Sequence, residues 1–197
     1  MDRRRVVITG LGAITALGSS ISLYWDGLIQ GHSGIRKITL FDASELPCQI
    51  AGEIPDFEVE KYIERKEARR LPRSAQIALA SAIQAVSDAG LPEIMPDPER
   101  TGVVYGTGIG GLDKADEGIQ VLRGQGFDRV NPFHLPMSIP NLSAYLIARQ
   151  FQCLGPNSTV VTACASGTQS IGEAVEYIRR NSADVVITGG VEAIIRD

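Results

Sequence analysis

Cys164 is the residue of this chain whose type and surroundings best suit covalent chemistry. It lies in the stretch TACASG, between a β-branched run at Ser158–Thr162 and a segment of helical spacing at Gly167–Arg180. A strand, a sharp turn and a helix are the simplest interpretation. A thiol just before a helix feels the partial positive charge of the unpaired N–H groups there, which favours the reactive thiolate. The alternative is a small, buried structural cysteine.

A nucleophilic cysteine usually works with a histidine that accepts its proton. The chain has two histidines, His32 in QGHSG and His134 in NPFHLPM. We expect His32 on the surface, and nothing in the spacing ties His134 to Cys164. No serine has the G-x-S-x-G context of a hydrolase nucleophile. The pattern alone therefore predicts a nucleophile without an assigned base.

The stretch GTGIGG at Gly106–Gly111 has the glycine spacing of a dinucleotide-binding loop. Such a loop is followed by a second strand carrying an acidic residue about 20 residues further on. Here a charged helix and a proline-rich stretch follow instead. We therefore favour a loop whose glycines let the backbone pass close to a packed element or an elongated ligand.

A cluster of basic residues stands out in an acidic chain, whose net charge is −4. On a single helix, Lys66, Arg69, Arg70 and Arg73 would share one face. A solvated surface is one interpretation. The other is a docking patch for an acidic partner.

The composition excludes several classes of protein. With 44% hydrophobic and 21% charged residues and a net negative charge, the chain is unlike a general nucleic-acid binder. No apolar run reaches the roughly 18 residues that span a bilayer. Cys48, Cys153 and Cys164 are widely spaced and odd in number, which predicts neither disulfides nor a metal site and indicates a reducing cytoplasm.

The pattern predicts strands alternating with helices, and hence a single α/β domain with mostly parallel strands. The predicted strands are Arg5–Thr9, Gln49–Glu53, Thr101–Thr107, Ser158–Thr162 and Ala183–Thr188. The predicted helices are Ile21–Gln30 after the N-cap Ser20, short turns within Phe57–Arg70, Pro72–Ala89, Gly111–Gly124, a helix from Ser138 or Asn141 to Gln150, and Gly167–Arg180. Phe127–Pro140 is predicted as a loop.

Six motifs occur in order along the chain: VVITGLGAITALG, RKEARRLPRSAQIALASAIQAVSDAGL, VVYGTGIGGL, NPFHLPMSIPN, PNSTVVTACASGTQSIGEA and ADVVITGGVEA. Together they resemble the N-terminal half of a β-ketoacyl-acyl carrier protein synthase, a condensing enzyme of type II fatty-acid or polyketide synthesis. TACASG is the most specific of them. The resemblance implies a thiolase-like α/β fold of two similar halves in five layers, of which residues 1–197 are the first.

The resemblance also implies a reaction. Cys164 would take an acyl chain as a thioester, and the carbanion from decarboxylated malonyl-acyl carrier protein would attack that thioester in a Claisen condensation. The backbone N–H of Cys164 would be one oxyanion donor. The chemistry needs neither cofactor nor metal, and the intact enzyme is expected to be a cytoplasmic homodimer that binds acyl carrier protein.

Four further positions match substrate-binding residues of the family. Ile109 and Ala163 match positions that line the acyl pocket. Phe133 and His134 match a loop that reaches the partner's acyl pocket in homodimers. Because histidine is more polar than an acyl tunnel usually is, the preferred chain length stays open.

Lys66, Arg69, Arg70 and Arg129 match basic positions that dock the acidic carrier protein. Leu71-Pro72 replaces the Met-Asp often found there, a change we interpret as an altered loop. The family's catalytic histidines, its lysine–glutamate pair and its second oxyanion donor lie in a C-terminal half that residues 1–197 do not contain. We therefore expect this chain to carry the nucleophile and not to catalyse condensation alone.

Two alternatives remain at this stage. A thiolase-like or chalcone-synthase-like enzyme would share the fold and use coenzyme A thioesters, but the basic cluster argues against it. A catalytically inactive interface subunit is the other, and the presence of Cys164 argues against it because chain-length-factor relatives typically lack that cysteine.

Overall fold

The computed structural model describes residues 4–196 and has α/β architecture. Its centre is a three-stranded parallel sheet in the order β4-β3-β5. The strands are β3 (Thr101–Gly106), β4 (Asn157–Val160) and β5 (Val185–Gly190). Two short strands form a separate antiparallel pair, β1 (Arg36–Lys37) and β2 (Ile50–Ala51).

Helices cover both faces of the parallel sheet. In β3 the side chains alternate between the faces, as the two-residue period of a strand requires. Val103 and Tyr105 pack into the main core with residues of two helices on one face. Val104 packs on the other face with Val160 and with Ala174 of a third helix. All six residues of β3 are buried, which is typical of a parallel strand covered on both sides.

Seven α-helices and four short 3-10 segments surround the strands in the described part of the chain. Helices α3 and α6 lie on one face of the sheet and α7 lies on the other. The helices are α1 (Ile21–Ile29), α2 (Arg65–Ala68), α3 (Arg73–Asp88), α4 (Leu112–Gln125), α5 (His134–Ser138), α6 (Leu142–Phe151) and α7 (Ser166–Arg179), and the 3-10 segments are Val59–Lys61, Pro98–Arg100, Phe127–Arg129 and Ala163–Ala165.

Most predicted elements form, because their ends carry local signals. The Ser20 hydroxyl accepts a hydrogen bond from the Leu23 N–H at 3.3 Å and caps α1 as expected. Helix α3 begins after Pro72 and ends before Gly90, whose φ of +66° suits a residue without a Cβ. The strands near residues 50, 101, 158 and 185 and the short turns before α3 are also confirmed.

The predicted strand at Arg5–Thr9 is wrong. These residues form no ladder with the sheet, and Val7 and Ile8 are 62% and 76% exposed. A β-branched run becomes a strand only where a neighbouring backbone takes up its donors and acceptors. Along residues 4–196, the first backbone N–H with a hydrogen-bond acceptor is that of Leu11, which donates to the Asp88 carboxylate at 2.8 Å.

The prediction of a loop at Phe127–Pro140 is also wrong in part. A 3-10 turn forms at Phe127–Arg129, and α5 places His134 at its first position. Of the two proposed starts for the next helix, Asn141 is right and Ser138 is wrong, because Ser138 ends α5. Proline is tolerated in the first turn of a helix, which explains why Pro136 does not prevent α5.

The basic cluster is divided between two helices and the turn that joins them, so the condition for a shared helix face is not met. Helix α2 ends at Ala68, and Pro72 separates it from α3, which begins at Arg73. Arg73 turns away from the others: its guanidinium lies 4.6 Å from the Phe57 ring centre and donates to the Ile54 carbonyl. Partial burial lowers the pKa of the Arg73 guanidinium.

Within residues 4–196, no helix combines the length and the apolar character needed to cross a bilayer.

Candidate active site

Cys164 lies in a tight turn between β4 and α7. A 3-10 turn at Ala163–Ala165 closes with a 3.1 Å bond from the Ala165 N–H to the Thr162 carbonyl, and α7 begins at the next residue, Ser166. Ala163 has φ of +52°, a left-handed conformation that is uncommon and unfavourable for a residue with a Cβ. The strained turn leaves the Cys164 side chain exposed.

The buried hydroxyl of Ser166 holds this turn. Its oxygen accepts from the Thr162 N–H at 2.8 Å, and its proton can go to the Thr107 carbonyl at 3.0 Å or the Ala163 carbonyl at 2.7 Å. One side chain thus ties the Cys164 turn to the glycine-rich loop after β3. The residue is 3% exposed, so these bonds form away from water.

Glycines let the start of α7 approach the sheet closely. A Cβ on Gly106, the last residue of β3, would lie 2.3 Å from the Ser166 carbonyl oxygen. A Cβ on Gly190, the last residue of β5, would lie 2.6 Å from the Gly167 Cα. Both distances are far shorter than van der Waals contact, so the position of Cys164 over the sheet depends on these two glycines.

The thiol opens into a cleft of about 680 Å³ at the carboxyl ends of the strands. Ligand sites of α/β proteins commonly lie at this edge of the sheet. Predicted site residues Ile109, Ala163 and Cys164 all line it. Ile109 is 45% exposed, so an apolar side chain faces the cleft. The other lining residues are Gly106, Thr107, Gly108, Ser166, Gly167, Thr168, Ile171, Gly189, Gly190, Val191 and Glu192.

The environment of Cys164 differs from that of the other two cysteines. Cys153 is buried behind α6, and its burial raises the pKa of its thiol to about 11, which disfavours the thiolate. Cys48 is exposed in an irregular segment. Only Cys164 precedes a helix, the 14-residue α7, and its own N–H has no hydrogen-bond acceptor among residues 4–196.

Glu192 is a site residue that the sequence prediction missed. Its Oε2 accepts from the Gly108 N–H at 2.9 Å and the Ile109 N–H at 3.0 Å, and it lies 3.5 Å from the Thr107 hydroxyl. The glycine-rich loop therefore forms a nest of N–H groups around a carboxylate. The sequence feature that could have indicated Glu192 is the acidic residue of GGVEA, which lies two residues after the end of β5.

This arrangement also explains why the loop is not a dinucleotide site. In such a site the N–H groups of the loop face a pyrophosphate. Here the Glu192 carboxylate takes up the N–H groups of Gly108 and Ile109. The interpretation of GTGIGG as a close-packed loop is the one that the geometry supports.

Phe133 and His134 do not line the Cys164 cleft within this chain. His134 packs on α4, where a Cβ on Gly118 would lie 3.1 Å from the His134 Cβ. The pKa of nearby Glu117 is lowered, mainly by its hydrogen bond from Lys114 and to a smaller degree by the charge of His134. His32 follows α1 in an exposed turn. Neither histidine is placed as a base for Cys164.

The basic residues predicted for docking lie on the surface. Lys66, Arg69 and Arg70 border a shallow depression, and the Arg70 guanidinium lies 5.9 Å from the centre of the Phe133 ring. Arg129 is exposed at the end of a separate 3-10 turn. Within residues 4–196 none of these four cations forms a salt bridge.

An exposed cysteine in a tight turn after a parallel strand, beside a cleft lined by apolar residues, fits an enzyme that forms covalent intermediates. The family model "Beta-ketoacyl synthase, N-terminal domain" matches residues 3–197. The chain belongs to this family. The resemblance inferred from the six motifs is thus confirmed.

Relatives agree with this assignment. The chain is 41% identical over 195 residues to 3-oxoacyl-[acyl-carrier-protein] synthase 2 of Synechocystis sp., covering 99% of this chain and 47% of that protein. The chain therefore spans about half the length of the curated relatives it matches. A relative from Staphylococcus aureus, 42% identical over 194 residues, has the same name.

Solved structures support the fold. The ishigamide ketosynthase/chain length factor superposes with a TM-score of 0.89 at 32% identity, over 99% of this chain and 49% of that one. A type II polyketide ketosynthase, solved with its acyl-carrier protein and a hexaketide, superposes at 0.82 with 23% identity, over 98% and 52%, and shows the fold alone. The predicted thiolase-like α/β class is confirmed, and the five-layer arrangement stays a prediction.

Proposed function

We propose that this chain provides the nucleophile of a decarboxylative Claisen condensation that lengthens an acyl chain. The observation that carries the proposal is the exposed Cys164 before α7, in the same cleft as Ile109 and Ala163. The named activity of the 41% identical relative supports it.

In the first step the Cys164 thiolate attacks the carbonyl carbon of an acyl thioester. The new C–S bond forms as the bond to the carrier sulfur breaks, and the carrier leaves as a thiol after taking up a proton. The unpaired Cys164 N–H is available to the developing oxyanion. Ile109 and Ala163 contact the acyl chain in this proposal.

In the second step malonyl-acyl carrier protein loses carbon dioxide. The electron pair of the broken C–C bond forms an enolate, which attacks the acyl group on Cys164. Cys164 leaves as a thiolate, and the β-ketoacyl product remains on the carrier. The groups that promote decarboxylation belong to the C-terminal half of the family fold, so residues 1–197 alone are proposed to be inactive in condensation.

Acyl carrier protein is the proposed partner, docked by Lys66, Arg69, Arg70 and Arg129. Two observations support this docking role: the four side chains are exposed, and none of them forms a salt bridge within residues 4–196, which leaves their charge available to an acidic surface. We further propose a cytoplasmic homodimer in which Phe133 and His134 reach the partner's acyl pocket. Phe133 is 50% exposed, as such a role requires.

Acyl transfer to the chain tests the first step. The protein is incubated with acyl-acyl carrier protein and with the matching acyl-coenzyme A, and cysteine peptides are analysed by mass spectrometry. We expect the acyl mass on Cys164 and faster transfer from the carrier protein. Cys164→Ala should abolish the adduct, whereas the control Cys48→Ala should retain it.

Several outcomes would contradict the proposal. Labelling with iodoacetamide at low pH tests whether the Cys164 thiol is activated. Equal labelling of Cys48, Cys153 and Cys164, or labelling only after the protein unfolds, would rule out an activated thiol at Cys164. Equal transfer from coenzyme A would favour a thiolase-like enzyme. Formation of ketoacyl product by residues 1–197 alone would contradict the need for a second half.

A further inference from the structure

The carboxylate of Glu192 closes the loop that presents Ile109 to the cleft. It accepts hydrogen bonds from the N–H groups of Gly108 and Ile109, at 2.9 and 3.0 Å. Inside the same loop the Gly110 N–H donates to the Thr107 hydroxyl at 3.0 Å. Hydrogen bonds to a charged acceptor are stronger than comparable bonds between neutral groups, so the carboxylate adds two charge-assisted bonds to this loop.

The loop is held from two directions. Ser166 ties the Thr107 carbonyl to the Cys164 turn, and Glu192 ties the next two N–H groups to the segment after β5. Gly108 lies between them, and a Cβ there would be 2.9 Å from the Glu192 Oε2 and 3.5 Å from the Ala163 Cα. Glu192 thus holds the Gly108–Ile109 side of the loop to the segment after β5, while Ser166 holds its Thr107 side to the Cys164 turn.

We propose that Glu192 is a positioning residue for selection of the acyl chain. Its hydrogen bonds hold Ile109 in place as part of the wall of the Cys164 cleft. This inference rests on the proposed function, because it assumes that an acyl chain lies along Ile109. Glu192 itself takes no part in bond making or breaking. Its effect is to order the apolar wall before the substrate arrives, so that binding does not have to order it.

Chain selection and thiol reactivity depend on different contacts of the loop and the turn. Removing the carboxylate leaves two N–H groups without their acceptor and frees the loop, which weakens the contacts that only a long chain makes. The Cys164 turn retains its own ties through Ser166 and the Thr162 carbonyl. Loss of Glu192 should therefore change the preference between long and short reagents much more than the reactivity towards a short one.

Alkylation of Cys164 measures this preference directly. The thiolate displaces iodide from iodoacetamide or from N-decyl iodoacetamide, forming a thioether, and the rates are followed by mass spectrometry of the Cys164 peptide. We expect the wild-type chain to prefer the decyl reagent and Glu192→Ala to lower the ratio of the two rates by about tenfold. Glu192→Gln should restore most of it, because the amide oxygen still accepts both N–H groups.

Gly108→Ala places a Cβ against the Glu192 carboxylate and should disturb the hydrogen bond between them. It should lower the ratio of the two alkylation rates as Glu192→Ala does, so the test remains valid if Glu192→Ala fails to fold. Glu173→Ala is the control, because Glu173 is exposed on α7. A wild-type preference that Glu192→Ala and Gly108→Ala leave unchanged, or raise, would overturn this inference and leave the proposed function standing. A wild-type chain without selective Cys164 labelling or decyl preference would overturn both.

Discussion

The Cys164 turn and the N-terminal segment, residues 4–11, differ in how they are held. Each contains or directly follows a short β-branched apolar run that was predicted to be a strand, Arg5–Thr9 in one case and Ser158–Thr162 in the other. The Cys164 turn is fixed by close backbone approach at Gly106 and by the buried hydroxyl of Ser166. The N-terminal segment pairs with no strand among the described residues 4–196, and Ile8 is largely exposed.

The difference shows that an apolar β-branched run does not by itself determine a strand. The run at Ser158–Thr162 gains its pairing because β3 lies beside it, with Val104 opposite Ser158. Among residues 4–196 the run at Arg5–Thr9 finds no such neighbour. Side chains attach it at its two ends, and just after it the Gly10 backbone packs on α3, where a Cβ would lie 2.2 Å from the Ala85 carbonyl oxygen. The side-chain ties are the Arg4 guanidinium on Asp184 and the Asp88 carboxylate on the Leu11 N–H.

The largest effect is expected for Gly106→Ala, which should break the closest approach in the Cys164 turn. The new Cβ would meet the Ser166 carbonyl oxygen at 2.3 Å, a backbone atom that cannot move away without displacing α7. We expect a loss of about 3 kcal/mol in the free energy of unfolding, measured by urea denaturation. Gly167→Ala is the control, since its Cβ would find its nearest atom at 3.6 Å; equal losses in the two variants would contradict the role of close approach.

A smaller effect is expected for Ser166→Ala, which removes the tie between the Cys164 turn and the loop after β3. The Thr162 N–H loses its acceptor at 2.8 Å. We expect a loss of about 1–3 kcal/mol in unfolding free energy together with slower alkylation of Cys164.

Ser170→Ala provides the comparison for Ser166. Its hydroxyl is equally buried but donates to the Ser166 carbonyl within the same helix. That variant should leave the alkylation rate of Cys164 near the wild-type value. If it slowed alkylation as much as Ser166→Ala, general loss of packing would explain both.

The smallest effect concerns the N-terminal segment and depends on pH. Hydrogen bonds from Arg100 and then Arg4 lower the pKa of Asp184. A lowered pKa in the folded state adds stability above the ordinary aspartate pKa of about 3.9, and this stability is lost as the pH falls below it. Asp184→Asn should therefore lower the melting temperature slightly at neutral pH and weaken its dependence on pH below about 4.

Thermal unfolding of the wild type and the variant across this pH range checks the prediction. Asp26→Asn, a change at an exposed aspartate of α1, serves as the control. A pH dependence that Asp184→Asn leaves unaltered would show that the Arg4–Asp184–Arg100 contacts add no stability.

Local chemistry explains which elements were predicted correctly. Ser20 caps α1, and Gly90 ends α3, because a cap or a left-handed glycine acts on its own turn. Interactions across the fold explain the failures. Arg73 was predicted to join the basic patch, but the Phe57 ring and the Ile54 carbonyl draw it into the structure.

The sequence by itself determined the Cys164 turn: small residues around Cys164, an apolar run before it and a helical pattern after it. Through a family resemblance it also predicted that Ile109 and Ala163 belong to one pocket, and both line the Cys164 cleft. Only the tertiary structure decided that the Glu192 carboxylate fills the N–H nest of the Gly108–Ile109 loop. The physical reason is that a nest binds whichever anion the fold brings to it, and a contact between residues 84 positions apart leaves no local pattern.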